Sequence, residues 1–267
     1  MRTPGITSSI ALVALLLSLA GHAQTPSMPP DYAGVQTHVP GVFITPVPSA
    51  PFSADVTILT HQKLPDGSET IRTTINHIAR DSQGRIYNES RALVPTTFQG
   101  EPRLTSAHIF DPITLHNIFY NPQLHLARDS VMPASQAARQ PRTPPVPGPR
   151  VSPNGPTITV TSLGQQVVDD TILLGTLKQR TVAAPASSTG APVTITDEYW
   201  YSPDLFVYLI VKHNDPRTGE QIVAVTHISR AEPPVSRFQV PDGYKIVDET
   251  PPAGAPAISP QPSPQTH

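Results

Sequence analysis

The stretch 195–247, ITDEYWYSPDLFVYLIVKHNDPRTGEQIVAVTHISRAEPPVSRFQVPDGYKIV, decides how this chain is read. It contains two runs of alternating or continuous apolar residues, 205–213 and 220–230. Between them lies Asn214-Asp215-Pro216-Arg217-Thr218-Gly219, whose residue types belong to turns. Pairing His213 with Glu220 places Leu205, Val207, Leu209 and Val211 on one face with Ile222, Ala224 and Ile228. Phe206, Tyr208, Ile210, Val223 and Val225 then fall on the other. Both faces are apolar, so the hairpin is expected at the centre of a sheet covered on both sides.

The same grammar extends upstream. Strands are expected at 157–163, 165–168, 171–182 and 193–201, with a tight turn at Asp169-Asp170. Nearer the N-terminus, 54–64 and 69–79 flank Pro65-Asp66-Gly67-Ser68. Treating Asp66-Gly67 as a two-residue loop puts Ile58 opposite Ile75, Val56 opposite His77 and Thr60 opposite Thr73. That register gives one apolar and one polar face. Further strands are expected at 85–94, 104–110, 115–120 and from 124 to 127. One helical candidate, 131–140, is interrupted by Pro133. The fold class is therefore mostly β: a single antiparallel sheet curved into an unclosed half-barrel, with few or short helices and Pro-rich disordered arms.

Of 34 prolines, seven fall in 26–51, eight in 133–156 and six in 251–264. Proline fixes φ and removes a backbone donor, so these stretches are expected outside the strand ladder. The organisation that follows is a signal peptide at 1–23, a Pro-rich segment at 24–51 and one β domain at 52–248. The domain carries a Pro-rich loop insertion at 132–156, and a Pro-rich tail occupies 249–267. The signal is carried by Arg2, the apolar run from Ile10 to Ala20 and the small residues of Gly21-His22-Ala23. The run is too short for a membrane span. A periplasmic or secreted location is expected, without lipidation, because the chain has no cysteine.

A net charge of −2 with 14% charged residues argues against nucleic acid as a partner. Ten histidines occur, none in a metal-ligand spacing; without cysteine there is no thiolate site, and no nucleophile elbow or phosphate loop is present. No catalytic residue, metal or cofactor is expected.

The residues Glu198–Tyr201, Asp215-Pro216-Arg217-Thr218-Gly219-Glu220, Ala231-Glu232-Pro233 and Phe238-Gln239-Val240-Pro241-Asp242-Gly243-Tyr244 resemble a set of uncharacterised secreted bacterial proteins. Arg80-Asp81-Ser82-Gln83-Gly84-Arg85 and Phe110-Asp111-Pro112 extend the likeness to the first half. In outline the chain resembles the LolA-like outer-membrane lipoprotein-sorting superfamily, which includes LolA, LolB and RseB-type domains. The resemblance implies a half-barrel whose concavity takes acyl chains. An N-terminal helix and a lid helix are not evident here. The function expected is non-catalytic binding of an apolar or lipid-like ligand, or of a lipidated partner such as a lipoprotein acyl chain. The candidate ligand-binding residues are Val56, Ile58, Ile75, His77, Trp200 and Tyr201. The alternative is an envelope protein-interaction or regulatory module with no small-molecule ligand. An open apolar cavity favours the first reading and a filled interior the second.

Overall fold

A computed structural model describes residues 41–134, 147–151 and 157–252. The signal segment, most of the N-terminal arm, most of the helical candidate at 131–140 and most of the tail lie outside those residues.

Among the described residues fourteen strands form one sheet. They are β1 (Phe52–Lys63), β2 (Glu69–Arg80), β3 (Ile86–Arg91), β4 (Val94–Pro95), β5 (Leu104–Phe110), β6 (His116–Asn121) and β7 (Leu126–Val131). The second half contributes β8 (Gly148–Val151), β9 (Thr157–Val168), β10 (Thr171–Val182), β11 (Val193–Ser202), β12 (Val207–Asp215), β13 (Gly219–Ser229) and β14 (Lys245–Asp248). Their order is β14-β7-β6-β5-β3-β2-β1-β13-β12-β11-β10-β9-β8, with β4 off this path against β2. The sheet is unclosed, and β1 with β12 and β13 occupies its middle, as the apolar hairpin demanded. Among the described residues, helical structure beyond Ala134 consists of short 3-10 turns such as Ala184–Ala186 and Val235–Phe238.

The sheet is mixed rather than wholly antiparallel, because β14 pairs with β7 in parallel. Parallel neighbours need a long crossover. Here the chain between β7 and β14 includes β8 to β13, and its last stretch, from β13, travels from mid-sheet to the far edge. On its way Phe238, Val240 and Tyr244 pack with Ala79, Tyr87, Ala107, Ile109, Tyr120 and Ala127. The guanidinium of Arg85 lies 5.2 Å from the Phe238 ring centre, and that of Arg237 lies 5.2 Å from the Tyr87 ring centre.

Both hairpin registers differ by one residue from expectation, the first from a two-residue loop at Asp66-Gly67 and the second from the pairing of His213 with Glu220. Across β1 and β2, Ile58 faces Thr74, Val56 faces Asn76 and Thr60 faces Arg72. Across β12 and β13, His213 faces Gln221. The cause is the same in each. Gly67 N–H donates to the Leu64 carbonyl (2.9 Å) and Leu64 N–H to the Ser68 carbonyl (2.8 Å), leaving a three-residue loop, 65–67. Had Asp66-Gly67 formed a two-residue loop, Pro65 would face Ser68 in the closing pair, which needs an N–H that proline lacks; at the second position of a type I turn its fixed negative φ fits and no N–H is required. Pro65 therefore begins the loop, and Gly67 closes it at φ +83°. Pro216 does likewise: Thr218 N–H donates to the Asp215 carbonyl (3.1 Å), and Asp215 faces Gly219. At Asp169-Asp170 both residues have positive φ, as a two-residue I′ loop requires.

A one-residue slip exchanges the faces of a strand. The face called inner here carries Phe52, Ala54, Val56 and Ile58 of β1 with Ile78 of β2. Val207, Leu209 and Val211 of β12 and Val223 and Val225 of β13 complete it. All of these are at most 8% exposed. Tyr208, Ile210, Ile222 and Ala224 are half-buried, so the central hairpin is covered on both sides but unequally.

Two Pro-rich stretches take part in this architecture. Val42 and Ile44, ahead of Pro46 and Pro48, are 5% and 1% exposed and belong to the inner core. Pro149 lies within β8, which forms the last strand of the order against β9. An edge strand tolerates proline because one of its sides needs no donor.

Candidate functional site

The six candidate residues divide among three surroundings. Val56 and Ile58 are 1% and 2% exposed in the inner core. Ile75 is 41% exposed and faces Thr57, while His77 faces Asp55, so both belong to the opposite face. Trp200 is half-buried; its indole N–H donates to Glu198 Oε1 (2.6 Å), which Lys212 also holds at 3.0 Å. Tyr201 is 5% exposed and meets the Tyr208 ring edge-on at 5.2 Å. The slipped register is what separates Val56 and Ile58 from Ile75 and His77.

His77 sits in a polar cluster rather than an apolar wall. Its Nδ1 is 2.7 Å from Asp55 Oδ1 and its Nε2 is 2.9 Å from Glu101 Oε1. Asp55 also holds His227 Nδ1 at 2.9 Å through its other oxygen. Beneath them the buried carboxylate of Glu89 accepts from the His77 backbone N–H, the Tyr87 hydroxyl and Arg91. Burial pulls the His77 pKa down, but the hydrogen bonds to Glu101 and Asp55 outweigh it and hold the imidazole above its ordinary value. The His77 hydrogen bond is the main cause of a lowered Glu101 pKa. For Asp55 burial acts upward, and the bonds from His227 and His77 more than reverse it. Among the described residues, no group of three His, Asp or Glu side chains is arranged to hold a metal ion.

The inner face offers a different arrangement, which the sequence reading missed. Residues 41–50 lie across it without joining the ladder. Asn88 Nδ2 donates to the Val42 carbonyl (3.0 Å), the Thr45 hydroxyl to the Phe206 carbonyl (3.1 Å) and Ser49 N–H to the Ser82 carbonyl (2.9 Å). Arg80 holds the same segment twice, donating from Nε to the Ala50 carbonyl and from Nη1 to the Thr45 carbonyl, each at 2.8 Å. Its residue is 0% exposed, and its Nη2 has no hydrogen-bond partner among the described residues. Phe206 has φ +57°, an uncommon conformation for a bulky side chain. The clue was periodicity: Arg80 follows Ile78 by two and therefore shares its inward face.

A notch of about 130 Å³ lies between the two hairpin tips, lined by His61, Lys63, Asn214, Asp215, Pro216, Gly219 and Glu220. None of the six candidates lines it. It is smaller than the ~300–1,000 Å³ usual for small-molecule sites.

No family model matches the sequence, and no curated protein matches it. Among solved structures the similarities are weak and partial. A LolA superfamily protein from Nitrosomonas europaea has 12% identity and a TM-score of 0.29, over 72% of this chain and 91% of that one. LprF from Mycobacterium bovis has 10% identity and a TM-score of 0.28, over 73% and 90%. A putative outer membrane lipoprotein-sorting protein domain from Vibrio parahaemolyticus has 9% identity and a TM-score of 0.24, over 67% and 85%. No residue role is transferred from any of them. Among the described residues no helix is long and apolar enough to cross a membrane.

Proposed function

We propose that this is an exported, non-catalytic protein whose inner sheet face accepts an apolar chain when residues 41–50 lift away. The export part rests on the pattern of Arg2, the apolar run from Ile10 to Ala20 and Gly21-His22-Ala23. The ligand part rests on one observation: the aliphatic inner face is covered by an irregular segment that contributes only Val42 and Ile44 to the core cluster. A filled interior by itself weighs toward an interaction module. Against that stands the nature of the filling. Two aliphatic side chains contribute about 1.5–3 kcal/mol each on burial, and an incoming chain returns ~0.8 kcal/mol per methylene. Four to eight methylenes, roughly, replace the apolar burial that the segment supplies, and a longer chain offsets the hydrogen bonds broken with Asn88, Phe206, Ser82 and Arg80. The strands beneath keep their ladder throughout.

The test is to express the full chain with its own leader, purify it without detergent and extract it for lipid by mass spectrometry, followed by titration with hexadecanoate and 1-hexadecanol. Co-purifying lipid or stoichiometric binding of either chain is expected. An empty protein that binds neither overturns the reading.

One observation favours the second reading. Leu59, Ile71 and Ile75 are 37%, 44% and 41% exposed, and the register places them together on the opposite face, with Leu59 facing Thr73. An envelope protein covering that patch would be recovered by cross-linking in native envelope and lost with Leu59→Asp.

A further inference from the structure

Arg80 has an unusual set of partners for a buried cation. It is fully enclosed, yet among the described residues it makes no ion pair with an aspartate or glutamate. Its guanidinium carbon lies 4.9 Å from the Phe52 ring centre, and two of its three nitrogens donate to backbone carbonyls. The third nitrogen, Nη2, donates to nothing among those residues. A buried charge without a counter-ion carries a desolvation penalty of several kcal/mol, and carbonyl dipoles offset only part of it. Both carbonyls, moreover, belong to the segment that covers the inner face. If that segment lifts, Arg80 loses both acceptors together and presents a free fork of donors beside an aliphatic wall. Such a planar fork matches the oxygens of a carboxylate or a phosphate.

We propose that the inner-face ligand is an anionic amphiphile, an acyl chain ending in a carboxylate or phosphate whose oxygens replace the Thr45 and Ala50 carbonyls on Arg80. This rests on the apolar-ligand reading above and adds the headgroup. Tyr201 stands on the same side of the argument. Burial raises its pKa, and the Arg80 charge opposes the rise. Burial also lowers the Arg80 pKa to about 10, as fits an interior cation without a carboxylate beside it. An alcohol or ester headgroup leaves that cation without its charge partner, so the site selects against neutral amphiphiles.

The experiment is calorimetric titration of the full purified chain at pH 7.5, below micellar concentrations, with two matched pairs. Hexadecanoate is compared with 1-hexadecanol, and palmitoyl lysophosphatidate with 1-monopalmitoylglycerol. At least one acid is expected to bind about tenfold or more tightly than its neutral counterpart, since hydrogen bonds to a charged group contribute about 1.5–3 kcal/mol. Whichever acid gains more identifies the headgroup as carboxylate or phosphate. Arg80→Met is expected to bring both acids down to the affinity of the neutral pair, while Arg80→Lys keeps part of the gain. If Arg80→Met does not fold, the wild-type pairs decide alone. Equal binding of acid and neutral partner overturns the headgroup inference and leaves apolar binding standing. Failure of all four to bind overturns both.

Discussion

The indole of Trp200 lies on Gly175, its partner across β10 and β11: a Cβ at Gly175 would stand 2.6 Å from the ring. The same atom would come within 2.8 Å of the Leu163 Cβ, so one of these neighbours must shift. Gly175→Ala is therefore expected to destabilise the protein by about 1–3 kcal/mol, the usual penalty for overpacking. Thermal or denaturant unfolding measures it. Trp200→Leu in the same background should recover part of the loss, because it removes the ring that the new methyl meets. An unaltered midpoint for Gly175→Ala would show that the indole does not occupy this position.

The register of the first hairpin is open to a mutational reading. Ile58 is 2% exposed and Ile75 is 41% exposed, although a two-residue loop would have made them neighbours. Ile58→Ala should cost about 2–5 kcal/mol through lost burial and the cavity left behind. Ile75→Ala should stay within about 1 kcal/mol, since much of that side chain already meets solvent. Similar losses at the two positions would contradict the three-residue loop at 65–67.

How far the sequence reveals this architecture differs by level. Element positions are legible because turn chemistry is local: β5 at Leu104–Phe110 and β10 at Thr171–Val182 coincide with the apolar runs between turn residues. Register is less legible, because a loop of two residues and one of three differ by a single pairing while leaving every strand in place. Proline held the missing information. Pro65 and Pro216 each fit the first position of a three-residue loop, and Pro65 lacks the N–H that a closing pair with Ser68 would need. The face assignments of Ile75 and His77 followed the register. Arg80 was hidden for another reason: it abuts Asp81-Ser82-Gln83-Gly84, and turn residues draw the eye from the inward alternation that ends on it. Val42 and Ile44 were masked by the prolines around them, which exclude a segment from a ladder but not from a core.

The cover over the inner face should be separable from the sheet beneath it. Thr45→Val removes the hydroxyl that donates to the Phe206 carbonyl and keeps the shape of the side chain. The expected effect is about 0.5–1.5 kcal/mol on the local opening of 41–50, with less effect on the global midpoint. Hydrogen exchange reads this directly, with faster exchange expected at Val47 and Ser49, whose amides donate to the Thr45 and Ser82 carbonyls. Protection in β12 and β13 should be unchanged. Uniform loss across the sheet would mean that the segment and the strands unfold as one unit.

The His77 cluster makes stability depend on pH in a defined direction. The His77 pKa is held above its ordinary value of 6.5 in the folded state, so its contribution is complete below that value and disappears as pH rises through the raised one. Asp55 and Glu101 are shifted the other way, below 3.8 and 4.5, and their contribution is complete above those values and lost as pH falls through the lowered ones. The two trends leave a window, between the lowered carboxylate values and the raised imidazole value, in which His77 carries its charge between Asp55 and Glu101. His77→Gln removes that charge while keeping a polar side chain. The stability gap between wild type and His77→Gln should therefore be largest near pH 5.5 and shrink as pH climbs toward 8.5, through the raised imidazole value at which wild-type His77 loses its charge. Thermal unfolding of both proteins across that range, at low and high salt, provides the measurement. Salt should narrow the gap at pH 5.5, since the cluster is partly open to solvent. A gap that widens with rising pH would place the imidazole pKa below its ordinary value and contradict the hydrogen bonds to Asp55 and Glu101 as its dominant influence.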